Sequence, residues 1–191
     1  MMTDIGMNDW KYQIIEILED KIIKDFFNLK IIVEADLQSS VFTFLNDFIS
    51  RHQNPRWRVF NQMGQISDKE KNKYVYPDIL LTQNKVRRVA IELKQGVERK
   101  NNVKLSDVID DINKMGKYGN KYDVETYVIY TCYQNRESFE SDYDRLERVS
   151  SEYAPNSPNI IMINLQDHPG HSRWRTLHRE YLEEWTGLYS S

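Results

Sequence analysis

Asp78, Glu92 and Lys94 are the residues of this chain whose types and spacing suit chemistry. Along Val89-Ala90-Ile91-Glu92-Leu93-Lys94, apolar and polar positions alternate. In a strand, alternate side chains point to opposite faces. Val89, Ile91 and Leu93 then form an apolar face, and Ala90, Glu92 and Lys94 form the other. Upstream, Ile79 and Leu81 are the apolar pair, so Asp78 lies on the face opposite to them. A hairpin centred on Lys85 sets residue 78 across from residue 92. Directly opposed residues have β-carbons about 5 Å apart, and a slip of one position would break the facing. Two carboxylates side by side repel and raise at least one pKa unless a cation intervenes. A hard divalent ion such as Mg²⁺ fits, since it takes one or two carboxylates and leaves room for water and phosphate. With Lys94 to orient or deprotonate a water, or to offset transition-state charge, the parts required for phosphodiester hydrolysis are present.

The elements that must position these residues are legible as periodic patterns. Ile14, Ile15, Leu18, Ile22 and Phe26 predict a helix over 10–28, and Leu37, Val41, Phe44, Leu45 and Phe48 predict a second over 34–51. A strand is expected from Trp57 to Met63, then a polar loop from Ser67 to Lys73. Strands over Pro77 to Thr82 and Arg88 to Lys94 form the hairpin, joined around Gln83-Asn84-Lys85. Residues 105–118 form an amphipathic helix with Leu105, Val108, Ile109, Ile112 and Met115 inward. Asp107, Asp110, Asp111 and Lys114 are expected outward, and Gly119 is expected to stop the helix. Val124 to Tyr133 is a strand, Ser138 to Tyr153 a helix, Asn159 to Leu165 a short strand, and the tail is helical near Thr176 to Trp185. The helix between the third and fourth strands is a crossover that makes those strands parallel. The fold class is therefore α/β: a mixed sheet with helices on both faces.

Tyr76-Pro77-Asp78, followed after a hairpin by Ile91-Glu92-Leu93-Lys94, resembles the signature of the PD-(D/E)XK, or restriction-endonuclease-like, nuclease superfamily. The element order over residues 34–133 is similar to that family's αβββαβ core. The resemblance implies a single domain over 1–191, with its core at about 34–165 and an N-terminal helix and C-terminal elements added. It implies that Asp78 and Glu92 hold Mg²⁺ (Mn²⁺ as substitute), that the Leu93 carbonyl joins them, and that Lys94 is the catalytic lysine. A further acid comes from the helix before the sheet in many members. Glu34, in line with Gln38, Val41 and Leu45, is favoured; Asp36 is the alternative if the helix starts later. Glu34 also suits a plain first-turn acid favouring the helix dipole. Gln38, one turn on, is within reach of the same site. The implied activity is DNA endonuclease, with a structure-selective or exonucleolytic repair nuclease, or a silent nucleic-acid-binding or assembly module, as alternatives.

The net charge of −3 counts against a generally basic nucleic-acid binder. Yet Lys85 to Lys104 holds seven bases and two acids, enough for a phosphate-binding face on an acidic body. Arg87, Arg88, Arg99, Lys100 and Lys104 are its candidates; a solvated surface is the plain alternative. Arg173-Trp174-Arg175 and Trp57 admit both base stacking and ordinary structural roles. His168, His171 and His178 have no accompanying cysteine and match no common zinc spacing. Cys132, the single cysteine, excludes a disulfide framework and suits a buried structural thiol. Met1 to Trp10 lacks the features of a signal peptide, no apolar run reaches about 18 residues, and a cytoplasmic protein without a membrane partner is expected. The first helix, outside the family core, is expected to cover a sheet edge or to pair with a second subunit as a homodimer.

Overall fold

The computed structural model describes residues 7–31, 33–51, 56–61, 66–68, 73–96 and 104–169, with side chains at all of these except 7–16, 66–68 and 73–75. The expected tail helix, Arg173-Trp174-Arg175, His171, His178, Met63, Arg99 and Lys100 lie outside the described residues.

Two helices open the chain, α1 (Met7–Phe27) and α2 (Glu34–Arg51). Strand β1 (Trp57–Asn61) follows, then β2 (Ile66–Asp68) and β3 (Lys73–Val75), which pair with each other as a small antiparallel ribbon. The stretch expected to be a loop from Ser67 to Lys73 thus contributes residues to both strands of that ribbon. Next come β4 (Ile79–Gln83), β5 (Val86–Gln95), α3 (Leu105–Tyr122), β6 (Glu125–Cys132), α4 (Arg136–Ser151) and β7 (Asn159–Asn164). The main sheet has the order β1-β4-β5-β6-β7. Its first three strands are antiparallel, and β5, β6 and β7 run parallel. The parallel pairing of β5 and β6 around α3 is what a helical crossover requires.

Alternation divides the core into two layers. Ile79, Leu81, Val89, Ile91, Leu93, Tyr127 and Ile129 face the buried stripes of α1 (Leu18, Ile22, Phe26) and α2 (Leu37, Val41, Leu45). Leu80, Ala90, Val128 and Tyr130 face α3 (Val108, Ile112, Met115, Tyr118) and Leu146 of α4. Each fully buried aliphatic side chain contributes about 1.5–3 kcal/mol, so a slip by one residue in the central strands would forfeit both layers. The inner stripe of α1 packs on α2 and this core. Asp25, buried on α1, accepts from Lys21 and from the Ser40 hydroxyl (2.6 Å), which ties α1 to α2.

The hairpin reaches the expected facing by a different route. Its turn is two residues, Asn84 and Lys85, both at positive φ (52° and 67°), as a primed hairpin turn demands. Pairing starts as Gln83↔Val86 and Thr82↔Arg87, then shifts to Leu81↔Val89 and Ile79↔Ile91. Arg88 is the extra residue of a β-bulge. Without that bulge, a two-residue turn would set Asp78 against Ile91, on the wrong face. With it, position 78 faces position 92.

Gly119 does not end α3. The helix runs to Tyr122, and Asp123 closes it at φ 51°. A β-carbon at Gly119 would lie 3.2 Å from the carbonyl oxygens of Asn156 and Val124, so the glycine serves close packing.

Candidate active site

Four elements meet where β5 ends. The site begins with Asp78, just before β4. Its Oδ2 accepts from the Leu93 amide at 2.8 Å, a backbone contact that aims the carboxylate at β5. Gln38, from α2, donates to the Asp78 carbonyl (3.3 Å) and to Asn61 Oδ1 (2.7 Å), and stands 3.5 Å from Asp78 Oδ1. Glu92 is 6% exposed. Its Oε1 pairs with the Lys114 ammonium, and its Oε2 is buried without a hydrogen-bond partner among the described residues. Lys94, two residues on and on the same face, lies 3.6 Å from Glu34 Oε2 and 3.7 Å from Asp111 Oδ2. Lys114 is also 3.6 Å from Asp111 Oδ1.

Glu34 and Asp36 face different partners. Asp36 Oδ2 accepts from the Val33 amide at 3.0 Å, the back-reaching half of a capping box. Asp36 thus helps start α2. Glu34 instead reaches the end of β5, where it meets Lys94 and accepts from the Gln95 amide at 3.4 Å.

Asp111 and Lys114 correct the sequence-based expectation, which placed both outward. They are half-buried and aimed at Glu92 and Lys94; Asp107 and Asp110 are exposed as expected. The cause is Tyr118. It is fully buried, and it lies seven and four positions after Asp111 and Lys114, on the same flank of the helix. Adding Tyr118 to the apolar stripe rotates the buried face toward both residues. An Asp-x-x-Lys pair at the margin of an apolar stripe was the available signal.

The electrostatics follow from gathering four carboxylates, of which Asp78, Glu92 and Asp111 are largely withdrawn from solvent, around two ammonium groups. Burial pushes Asp78 up from its ordinary range, with Glu34 and Asp111 adding to it, against the Leu93 amide and Lys114. Burial, Asp78 and Asp111 push Glu92 up to about 8, against Lys114. Burial likewise raises Asp111, with Lys114 and Lys94 opposing. Burial works to lower Lys94, but Asp111, Glu34 and Glu92 outweigh it and hold the ammonium above its usual range.

No family model, curated protein or solved structure matches the chain.

The remaining candidates are dispersed. Arg87 lies over the Tyr122 ring, 4.1 Å from its centroid, and so is engaged with α3. Arg88, at the bulge, is half-buried, and its Nε has no hydrogen-bond partner among the described residues. Lys104 is exposed at the start of α3. Trp57 is buried in the core beneath α2. His168 packs edge-on against Phe27, with centroids 6.2 Å apart. Cys132 is buried, which pushes its thiol up to about 12 and suits an inert side chain. Among the described residues, no three of His, Cys, Asp and Glu are gathered so as to hold a metal ion by themselves, and no helix is long and apolar enough to cross a membrane.

Proposed function

We propose that this protein is a metal-dependent nuclease of the PD-(D/E)XK, restriction-endonuclease-like kind, acting on DNA as an endonuclease. The observation that carries the reading is the pair of carboxylates at the β4–β5 hairpin: the register Ile79↔Ile91 carries position 78 toward position 92, and Glu92 keeps one oxygen buried without a hydrogen-bond partner among the described residues. An unsatisfied buried carboxylate oxygen costs free energy unless a cation completes it. Asp78, Glu92 and the Leu93 carbonyl are the groups that would hold Mg²⁺ or Mn²⁺, a donor set suited to an ion that keeps water and phosphate as its other ligands. The chemistry such an ion supplies is charge neutralisation at phosphorus and an acidified water.

The chain's own residues do the rest. Asp78 is oriented by the Leu93 amide, and Glu92 is fixed by burial. Lys94, held in its charged form by Asp111 and Glu34, orients water and phosphate as a cation; abstraction of a proton by Lys94 is disfavoured. Glu34 positions that ammonium from α2.

A second reading has an observation of its own. Glu92 is paired with Lys114, and Lys94 with Glu34 and Asp111. A silent binding or assembly module would keep such a network for stability alone.

Incubation with plasmid, linear duplex and single-stranded DNA, with and without Mg²⁺ or Mn²⁺, separates the readings. Metal-dependent opening of closed circles is expected, falling by at least about 100-fold in Asp78→Asn, Glu92→Gln or Lys94→Ala. Attack on linear DNA alone would favour the exonucleolytic alternative. Cleavage that survives Asp78→Asn/Glu92→Gln would overturn the proposed site, and calorimetry without Mg²⁺ binding would favour the silent module.

A further inference from the structure

We propose that Lys114 is the resident counter-cation of Glu92, that a divalent ion must displace it, and that it thereby sets the affinity of the site for metal. The proposal rests on the reading of Asp78 and Glu92 as metal ligands.

Three observations carry it. Glu92 has one oxygen on the Lys114 ammonium and the other buried with no hydrogen-bond partner among the described residues, so its pairing there is half complete. The neighbouring ammonium, Lys94, lies between Glu34 and Asp111 at 3.6 and 3.7 Å and is committed there. Lys114 has somewhere to go: its side chain is 21% exposed against 9% for Glu92, and Asp111, one turn earlier on α3, already lies 3.6 Å from it. In an exchange of cations, then, the lysine moves and the carboxylate stays. The four-carbon stem of lysine permits such movement, whereas Glu92 is held in the core on the α3 face of the sheet.

A positive charge held at the ligand repels a second one and competes for the same oxygen. Removing it should therefore tighten metal binding, although it leaves the metal-free carboxylates less compensated. A structural ion pair predicts the reverse: stability falls with and without metal alike, and metal affinity does not improve.

Calorimetric titration of the full chain with Mg²⁺, alongside melting curves in chelator and in saturating Mg²⁺, tests this. Lys114→Met should bind Mg²⁺ more tightly than wild type, on the order of tenfold. It should melt lower than wild type in chelator, and Mg²⁺ should narrow that gap. Lys114→Arg, which keeps the charge, should bind like wild type. Lys114→Gln, which keeps a donor for Glu92, should follow Lys114→Met and guards against a variant that fails to fold. If wild type binds Mg²⁺ and neither neutral variant binds it more tightly, Lys114 is only a structural partner, and the nuclease reading stands without it. If none of the proteins binds Mg²⁺, the metal site and this proposal fall together.

Discussion

Glu92 concentrates the energetic tension of the site in one side chain. Its carboxyl is pushed from 4.5 up to about 8, chiefly by burial. Between those values burial favours a proton on Glu92 in the folded chain that the unfolded chain has lost, and the Lys114 ammonium competes with that proton for the carboxylate. The stability this confers is full below 4.5 and is lost as pH rises toward 8. Glu92→Gln has no such proton. In chelator, the stability of wild type minus that of Glu92→Gln should therefore fall with rising pH, by up to about 1.4 kcal/mol per unit, and level off above 8. Urea melts of the two proteins at pH 5, 6.5, 8 and 9 give this difference directly. Parallel pH profiles would mean that Lys114 keeps Glu92 ionised throughout. Lys94 carries the opposite tendency: its neighbours hold it protonated, so it serves the site as a fixed charge.

At the scale of elements, the site depends on how α3 is held, and two of its glycines let it pack closely against the segment after α4. The Tyr153 ring rests on Gly116, where a β-carbon would overlap it, and the Tyr153 hydroxyl donates to Asn113 at 2.9 Å. Helix propensity alone predicts that Gly116→Ala stabilises by about 1 kcal/mol. Overlap with a ring at its point of attachment predicts the reverse, a cost of about 1–3 kcal/mol. We expect the overlap to prevail, lowering Tm by a few degrees for a chain of this size. Thermal melts decide it, and a rise in Tm would show that Tyr153 yields without cost. The β4–β5 bulge is the other element-level device. It converts a two-residue turn into the register that brings Asp78 opposite Glu92.

On the scale of the whole molecule, the proposed nuclease reading asks an acidic chain with an acidic site to meet a polyanion. Its net charge is −3, while Lys85 to Lys104 is strongly basic. Arg87 is partly engaged with Tyr122 and Arg88 is half-buried at the bulge, which leaves Arg99, Lys100 and Lys104 as the candidates to neutralise first. Replacing all three with alanine should weaken binding to every DNA sequence. It should also flatten the slope of log K against log salt by about 0.9 for each phosphate that is no longer neutralised. Titration of labelled duplex at several salt concentrations, in chelator, measures this. An unchanged slope would remove the three residues from the interface.

The sequence by itself determined what local periodicity controls. The alternation in β5 assigns Glu92 and Lys94 to one face, and the apolar pair Ile79 and Leu81 assigns Asp78 to the same side. The stripe Leu37, Val41, Leu45 defines α2 from its first residue to its last. These follow from chain geometry within one or two elements, where the periods of 2 and 3.6 are fixed by covalent structure. Only the tertiary structure decided the rest. Glu34 was separated from Asp36 by which of them α2 needs for its own start. Asp111 and Lys114 entered the site because Tyr118 turns the flank of α3 toward the sheet. The rotation of a helix about its axis is set by everything packed beneath it, and residues at the margin of its stripe go in or out with a small change in that angle. The bulge at Arg88 is of the same kind. An extra residue in one strand leaves no mark on local periodicity, and its place is chosen by the demand that both faces of the hairpin stay buried against α2 and α3.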